Sequence, residues 1–384
     1  MASIKSFITM SSLKQIHTED LAKFLTPIKQ ILIEKNLWSA EDGKQRFDYQ
    51  KLARYLHENC PDEIETKLYT FHSIAKPEWL EGIDAKLNEL GIEFNMLADV
   101  YEKSAILVET SIEACNLVAS KYMAKEQHTY VHYKPTSPHA VHPLSLAQIE
   151  AIKTALKGFF ASTGKSDHIA IYPHEIAEFA FYCVSHGSPK TREHSVGEEQ
   201  KVHTFRPELV DVIRVNLENG EISVFTKKCS AKSLKDNYIK VFGNILLPSV
   251  MYVENHKYNL NALKNRKALS LGELSESIFK VEIDSFSYID SNGCKKDCSR
   301  NTSAELFSCM ESNVNFVSVE FAFIFTPNGK RYKARISSAS KSAYPTGADE
   351  KLIDQFFIQN GFIIGEENAE DFTMVSERAL SAVR

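Results

Sequence analysis

Two carboxylates, Asp211 and Glu221, lie on either side of an Asn219-Gly220 turn that joins the strand-like runs "DVIRVNL" and "EISVFTK". Many metal-dependent nucleases use an Asp, a hairpin and then Glu-x-Lys, because two carboxylates hold Mg²⁺ while the lysine orients water. Here the lysine position is Ser223, and the nearest lysine along the strand is Lys227. Asp211 and Glu221 are the candidate catalytic pair, and Mg²⁺ is expected as a cofactor only on that reading. The plainer alternative is a pair of hairpin ends facing water.

Cations cluster around the same region. His186, Lys190, Arg192, His194, Lys201, His203, Arg206 and Arg214 follow one another closely. A second run, Lys330, Arg331, Lys333 and Arg335, surrounds Tyr332 just beyond Asn328-Gly329. A two-stranded ribbon presents alternating cations on one face and can follow a nucleic-acid backbone, with Arg suited to bidentate phosphate contact and Tyr to stacking. Lys190, Arg192, Lys201, Arg206, Arg214, Lys330, Arg331, Lys333 and Arg335 are the candidate nucleic-acid-binding residues. Against this, exposed hairpins carry lysine to protect sheet edges, and the sequence pI is about 6.3.

The charge is unevenly spread. Residues 1–127 carry net -5, residues 184–267 net +5, and residues 268–384 net -5. A basic segment between acidic ones offers an anion-binding surface, or a solvated face of no special role.

Other constellations fall short of the chemistry they suggest. "GFFASTGKS" has Gly158 one residue too far from Gly164 for a phosphate loop, and it follows a helix where a strand is needed. "HEIAE" has Glu178 where a zinc protease needs its second histidine. Cys294, Cys298 and Cys309 lack a second knuckle, so reduced cysteines in a polar loop are expected. There is no Gly-x-Ser-x-Gly elbow, and His186 beside Ser188 in "VSHGS" does not make a triad, which is defined by geometry. "HTYVHYKPTSPHAVHP" holds His128, His132, His139 and His142, but Pro135, Pro138 and Pro143 forbid regular structure through its second half. It is expected to be a connector, with metal binding by composition as the alternative and no metal ligand assigned.

The elements that must position these residues change character along the chain. Up to about residue 127 the apolar spacing is helical. Leu21, Phe24, Leu25, Ile28 and Leu32 form one stripe, interrupted at Pro27. Asp48 caps a second helix, Pro61 opens a third, and a long helix is expected from about Asn95 to Lys125. Beyond "PLSLAQIEAIKTALKGFFASTG", a helix with a Ser145–Gln148 capping box and a Gly164 stop, strand patterns dominate. "SAKSLKDNYIKVFG" reads as a helix stopped by Gly243, and "GADEKLIDQFFIQNG" as a closing helix stopped by Gly361. The expected class is α+β: an all-α domain over 1–127, a Pro/His-rich connector over 128–143, and an α+β domain of antiparallel hairpins over 144–365. That domain is read as one piece or as two subdomains split near 250–270, and 366–384 as a polar tail. The lack of regular β-helix-β alternation excludes a doubly wound nucleotide-binding fold.

No apolar run reaches the roughly 18 to 20 residues of a membrane span, so no membrane partner is expected. The first residues lack the apolar core of a signal peptide. Seven cysteines, an odd number thinly spread, point to a reducing cytoplasm.

Three stretches, "FRPELVDVIRVNLENGEISVF", "DNYIKVFGNILL" and "VEFAFIFTPNGKRYKARISSAS" leading to "DEKLIDQFFIQNGFI", resemble in order and spacing uncharacterised bacterial proteins of similar length met near mobile elements and phage-defence genes. The resemblance covers roughly the C-terminal half, brings no catalytic residues, and implies a bacterial defence context. The expected function is a non-enzymatic component of a bacterial defence or stress system that binds nucleic acid or a protein partner, with homo-oligomerisation favoured by the charge distribution. The alternatives are the Mg²⁺-dependent nuclease and a scaffold that binds no nucleic acid.

Overall fold

The structure is a computed structural model that describes residues 7–165, 168–187, 191–194, 202–205, 208–227, 232–265, 269–299, 314–326, 329–338, 340–345 and 348–363. The chain forms two compact units, residues 1–123 and 124–384. The class is α+β, with antiparallel strands throughout the described sheets. The expected polar tail lies outside the described residues.

The first unit is built from helices α1 (Met10–Leu13), α2 (Thr18–Leu25), α3 (Lys29–Glu34), α4 (Tyr49–Asn59), α5 (Asp62–Ile74), α6 (Leu80–Glu89), α7 (Val100–Thr110) and α8 (Ile112–Lys125). Their apolar stripes meet in one core, which includes Leu21, Phe24, Leu68, Phe71, Ile83 and Leu107. Asp48 caps α4 by accepting from Lys51 N at 3.1 Å. Pro27 sits in a 3-10 turn between α2 and α3, so the first stripe is split there. The long helix expected from Asn95 is instead α7 and α8. Ser111 takes extended dihedrals between them, and its hydroxyl accepts from Ala114 N at 3.1 Å. The unit is not purely helical. Strands β1 (Trp38–Glu41) and β2 (Lys44–Phe47) form a hairpin around Asp42 and Gly43, both at positive φ.

The second unit is organised by an 11-stranded sheet. Its strands are β3 (Tyr130–Pro135), β4 (Ile169–Ile176), β5 (Phe179–Gly187), β8 (Glu208–Asn216), β9 (Ile222–Phe225), β10 (Tyr252–Glu254), β11 (Ile278–Ile289), β12 (Lys295–Ser299), β13 (Asn315–Phe325), β14 (Arg331–Ser338) and β15 (Lys341–Ala343). The order is β12-β11-β13-β14-β15-β3-β9-β8-β5-β4, with β10 beside β3. Strands β6 (Thr191–His194) and β7 (Val202–Phe205) form a separate pair. The first half of the expected connector is thus a strand in the middle of the sheet, while His139 and His142 are exposed beyond it.

Alternation along the strands sends successive side chains to opposite faces. On one face, α9 (Leu146–Ser162) and α10 (Lys232–Leu246) cover Val131, Tyr133, Ile213, Val215, Ile222 and Val224. On the other, α11 (Glu350–Gln359) covers Val319, Phe321, Phe323, Ala334 and Ile336. The sequence residues around 250–270 therefore join two cores on opposite faces of one continuous sheet. Ser145 and Gln148 form the capping box of α9, and Gly164 follows it at φ +72°. Gly243 does not stop α10. The helix runs on to Leu246, and a Cβ on Gly243 would lie 2.8 Å from the Tyr252 ring, so glycine is needed for close packing. The Asn219-Gly220 connection is wider than a two-residue turn: Asn216 N donates to Glu221 O at 2.8 Å, and Gly220 alone takes positive φ, +76°.

Candidate functional site

The strand register separates Asp211 from Glu221. Val212 pairs with Phe225 and Val215 with Ile222, so Asp211 shares the face of Ile213 and Val215, while Glu221 shares the face of Ser223. Each carboxylate is held by its own partners. Asp211 is 2% exposed and accepts from His186 Nε2 (3.0 Å), Tyr238 Oη (2.8 Å) and Lys227 N (3.0 Å). His186 also stacks on Phe160 at 4.4 Å between ring centroids. Asp211 is thus a satisfied core carboxylate that ties β8, β5 and α10 together. Facing opposite ways, the two carboxylates do not form the shared Mg²⁺ site expected of a nuclease hairpin.

Glu221 belongs to a polar belt on the α11 face. Arg214 pairs with Ser223, and Ser223 with His132, so three polar side chains line up across β8, β9 and β3. Ser342 on β15 extends the row. His132 is fully buried. Its Nδ1 lies 3.1 Å from Glu221 Oε1 and 2.9 Å from Ser223 Oγ, and its Nε2 lies 2.8 Å from Ser342 Oγ. Asn255 Nδ2 donates to Glu221 Oε2 at 2.8 Å. Burial works against the Glu221 charge. The His132 hydrogen bond and the charges of Lys257 and Arg214 outweigh it and hold the carboxyl at about 2. An ionised Glu221 requires a proton on His132 Nδ1, leaving Nε2 to accept from Ser342. Burial keeps His132 neutral by lowering its pKa, although the Glu221 carboxylate pulls the other way.

Beyond Ser342 the belt continues to α11. Tyr258 Oη donates to Ser342 Oγ (3.0 Å) and lies 3.1 Å from Tyr344 Oη, and Tyr344 donates to Asp354. Lys257 Nζ stands 3.5 Å from Asp354. Burial disfavours the Lys257 charge, but Tyr258, Glu221 and Asp354 raise its pKa above the ordinary lysine value. At the other end Arg214 Nη1 donates to both oxygens of Glu350, at 2.8 and 2.7 Å, and its guanidinium lies over the rings of Tyr130 and Phe179. Arg214 was expected to face phosphate. It is instead a buried tie between the sheet and α11.

Ser342, His132 and Glu221 have the order and distances of a nucleophile, base and carboxylate. What they lack is access. Ser342 is 2% exposed, and its oxygen already accepts from Tyr258. The arrangement holds strands and helix together and leaves no room at the serine for a substrate carbonyl.

The exposed cations have a different setting. Arg331 pairs with Asp284, and Lys333 lies 2.6 Å from Asp284 and 3.0 Å from Glu320. Arg335 donates to Ser318 Oγ at 3.1 Å, and Lys330 lies over the Tyr332 ring at 4.9 Å. Carboxylates of β11 and β13 therefore offset the cations of β14 across the register. Lys190, Lys201 and Arg206 lie outside the described residues, as do Asn328, Ser188, Cys309 and the side chains of Arg192, His194 and His203. Cys294 is exposed and Cys298 half-buried. Among the described residues no group of three or more His, Cys, Asp or Glu side chains could hold a metal ion, and no helix is long and apolar enough to cross a membrane.

Sequence reasoning singled out Asp211, Glu221, Arg214 and His132 but missed Ser342, Tyr258, Tyr344, Lys257, Asn255, Glu350 and Asp354. One usable signal is "YVHYKP". A histidine between apolar strand residues sits on the face opposite to them, and when that face is buried it needs partners. Compared with protein-family models and with curated proteins, the chain shows no match.

Proposed function

We propose that this protein acts by binding a protein partner and not by catalysis, through the mixed-charge sheet face formed by β11, β13 and β14. The observation that carries this reading is the pairing of Arg331 and Lys333 with Asp284 and Glu320. A phosphate backbone gains from unpaired cations and is repelled by interleaved carboxylates. A partner protein with a matching pattern of charges gains orientation and specificity from such a face. Side chains there remain available, with Arg331 38% and Lys333 49% exposed. The buried state of Asp211 and Ser342 supports the non-enzymatic part of the reading. The resemblance of the C-terminal stretches supports a bacterial defence or stress system as the setting.

The test combines two measurements on purified protein. Labelled single- and double-stranded DNA and RNA are titrated at low salt, and plasmid is incubated with Mg²⁺ or Mn²⁺. Products of neighbouring genes are then co-expressed with the wild type and with Arg331→Glu/Lys333→Glu. The expected result is no cleavage, no salt-dependent nucleic-acid binding, and one gene product that co-purifies with the wild type and is lost from the charge-reversed variant. Nucleic-acid binding that falls steeply with salt and is abolished by the same substitutions overturns the reading, and metal-dependent cleavage overturns its non-enzymatic part.

A further inference from the structure

Where α10 passes β3 and β10, on the face opposite to the polar belt, a cavity of about 440 Å³ opens to solvent. That volume lies in the range of small-molecule sites. Tyr133 lines it and is 6% exposed, yet among the described residues its hydroxyl has no hydrogen-bond partner. A tyrosine hydroxyl without a protein partner on a cavity wall is free to bond to what enters that cavity. Burial, then the carboxylates of Glu254 and Asp236, raise the pKa of the phenol, so Tyr133 stays protonated beside two anionic groups.

The charges on the wall are of both signs. Asp236 and Lys240 lie one helical turn apart on α10, and neither has an ion-pair partner among the described residues. Four residues of helix advance about 6 Å. Asn244, one turn further, adds an amide donor beside Lys240. Opposite them, Glu254 Oε1 accepts from Ser340, which leaves its other oxygen for a ligand. Val250 and the exposed Met251 supply an apolar ledge. Lys232, one turn before Asp236, also lines the wall. A ligand that satisfies Asp236, Glu254, Lys240 and Asn244 carries a cation between the carboxylates, an anion roughly 6 Å away, and an apolar substituent. The amino nitrogen and carboxyl carbon of a dipeptide are about 6 Å apart by ordinary backbone dimensions, whereas those of a free amino acid are much closer.

We propose that this cavity binds a zwitterion of dipeptide size. Its ammonium lies between Asp236 and Glu254 against Tyr133, its carboxylate meets Lys240 and Asn244, and its apolar side chain rests on Val250 and Met251. The site is separate from the sheet face assigned to a protein partner, and either reading stands without the other.

Calorimetric titration of the full chain with L-alanyl-L-leucine and L-alanyl-L-methionine tests it, beside the N-acetylated and C-amidated peptides, inorganic phosphate and cadaverine. Saturable binding of the free dipeptides is expected. Acetylation, or Asp236→Asn, weakens it about tenfold or more, the scale of one hydrogen bond to a charged group. Amidation weakens binding to the wild type, and Lys240→Gln abolishes the difference between acid and amide. Tyr133→Phe lowers affinity for every peptide. Both α10 positions are exposed, so these variants keep the fold. No binding of the free dipeptides at millimolar concentration overturns the proposal. So does equal binding of free and acetylated peptides, or phosphate or cadaverine binding as tightly as the dipeptides.

Discussion

Glu221→Gln keeps the size and hydrogen-bonding reach of the side chain and removes its charge. The folded chain holds this carboxyl at about 2, against an ordinary value of 4.5. A shift of that size corresponds to a stabilisation on the order of 3 kcal/mol. The side chain is only 16% exposed, so solvent screening reduces it little. The sign follows from the depressed value. Above about pH 4.5 the carboxylate is charged whether the chain is folded or unfolded, and the full stabilisation is present. As pH falls, the unfolded chain takes up the proton first, and about half of the stabilisation is lost by about pH 3. Urea unfolding followed by far-ultraviolet circular dichroism, repeated from neutral pH downward, reads this directly. The variant should be less stable by about 3 kcal/mol at neutral pH, with the gap narrowing to about half near pH 3. His132, kept neutral by burial, adds a loss that begins below its ordinary 6.5, and this loss is larger in the variant, which lacks the Glu221 charge that holds the His132 pKa up. A gap that is absent at neutral pH, or constant with pH, refutes the placement of an ionised Glu221 in the belt.

Asp211→Ala leaves the His186 ring, the Tyr238 hydroxyl and the Lys227 amide without their shared acceptor, so a loss of about 3 kcal/mol or more is expected in denaturant unfolding. A variant as stable as wild type contradicts a structural role. Arg214→Lys cannot donate twice to Glu350 from one planar group or stack between Tyr130 and Phe179, and a fall of about 2 kcal/mol is expected from the same measurement. Gly243→Ala presses a methyl group against the Tyr252 ring and should cost about 1 to 3 kcal/mol, although alanine favours helix. Stabilisation by this substitution shows that Tyr252 moves aside freely.

Local patterns carried most of the elements. The Ser145–Gln148 box, the Asp48 cap, the Pro27 interruption and Gly361 at φ +75° all act within a few residues of themselves, so they are legible without knowing the fold. The hairpin of the first unit is equally local, since Asp42-Gly43 is a strong turn signal, although the apolar spacing around it is helical. At Gly243 a helix stop and a close helix–ring approach both call for glycine, and only the position of Tyr252 distinguishes them. "YVHYKP" resembles part of a connector because it ends at Pro135, with Pro138 and Pro143 just beyond. The strand forms because β15, β9 and β10 all pair with it.

The sequence alone determined the α+β class and which residue types were available for chemistry. These depend on composition, caps and periodicity, which are short-range properties of the chain. Tertiary structure alone decided what the charged residues do. Register turned Asp211 and Glu221 to opposite faces of the sheet, and it brought His132 to Ser342 across 210 residues of sequence. The same pairing set Asp284 and Glu320 beside the cations of β14, leaving a mixed-charge surface in place of a basic ribbon. A shift of one residue in any of those strand pairings would reverse the facing of its side chains, and no local pattern in the sequence specifies that alignment.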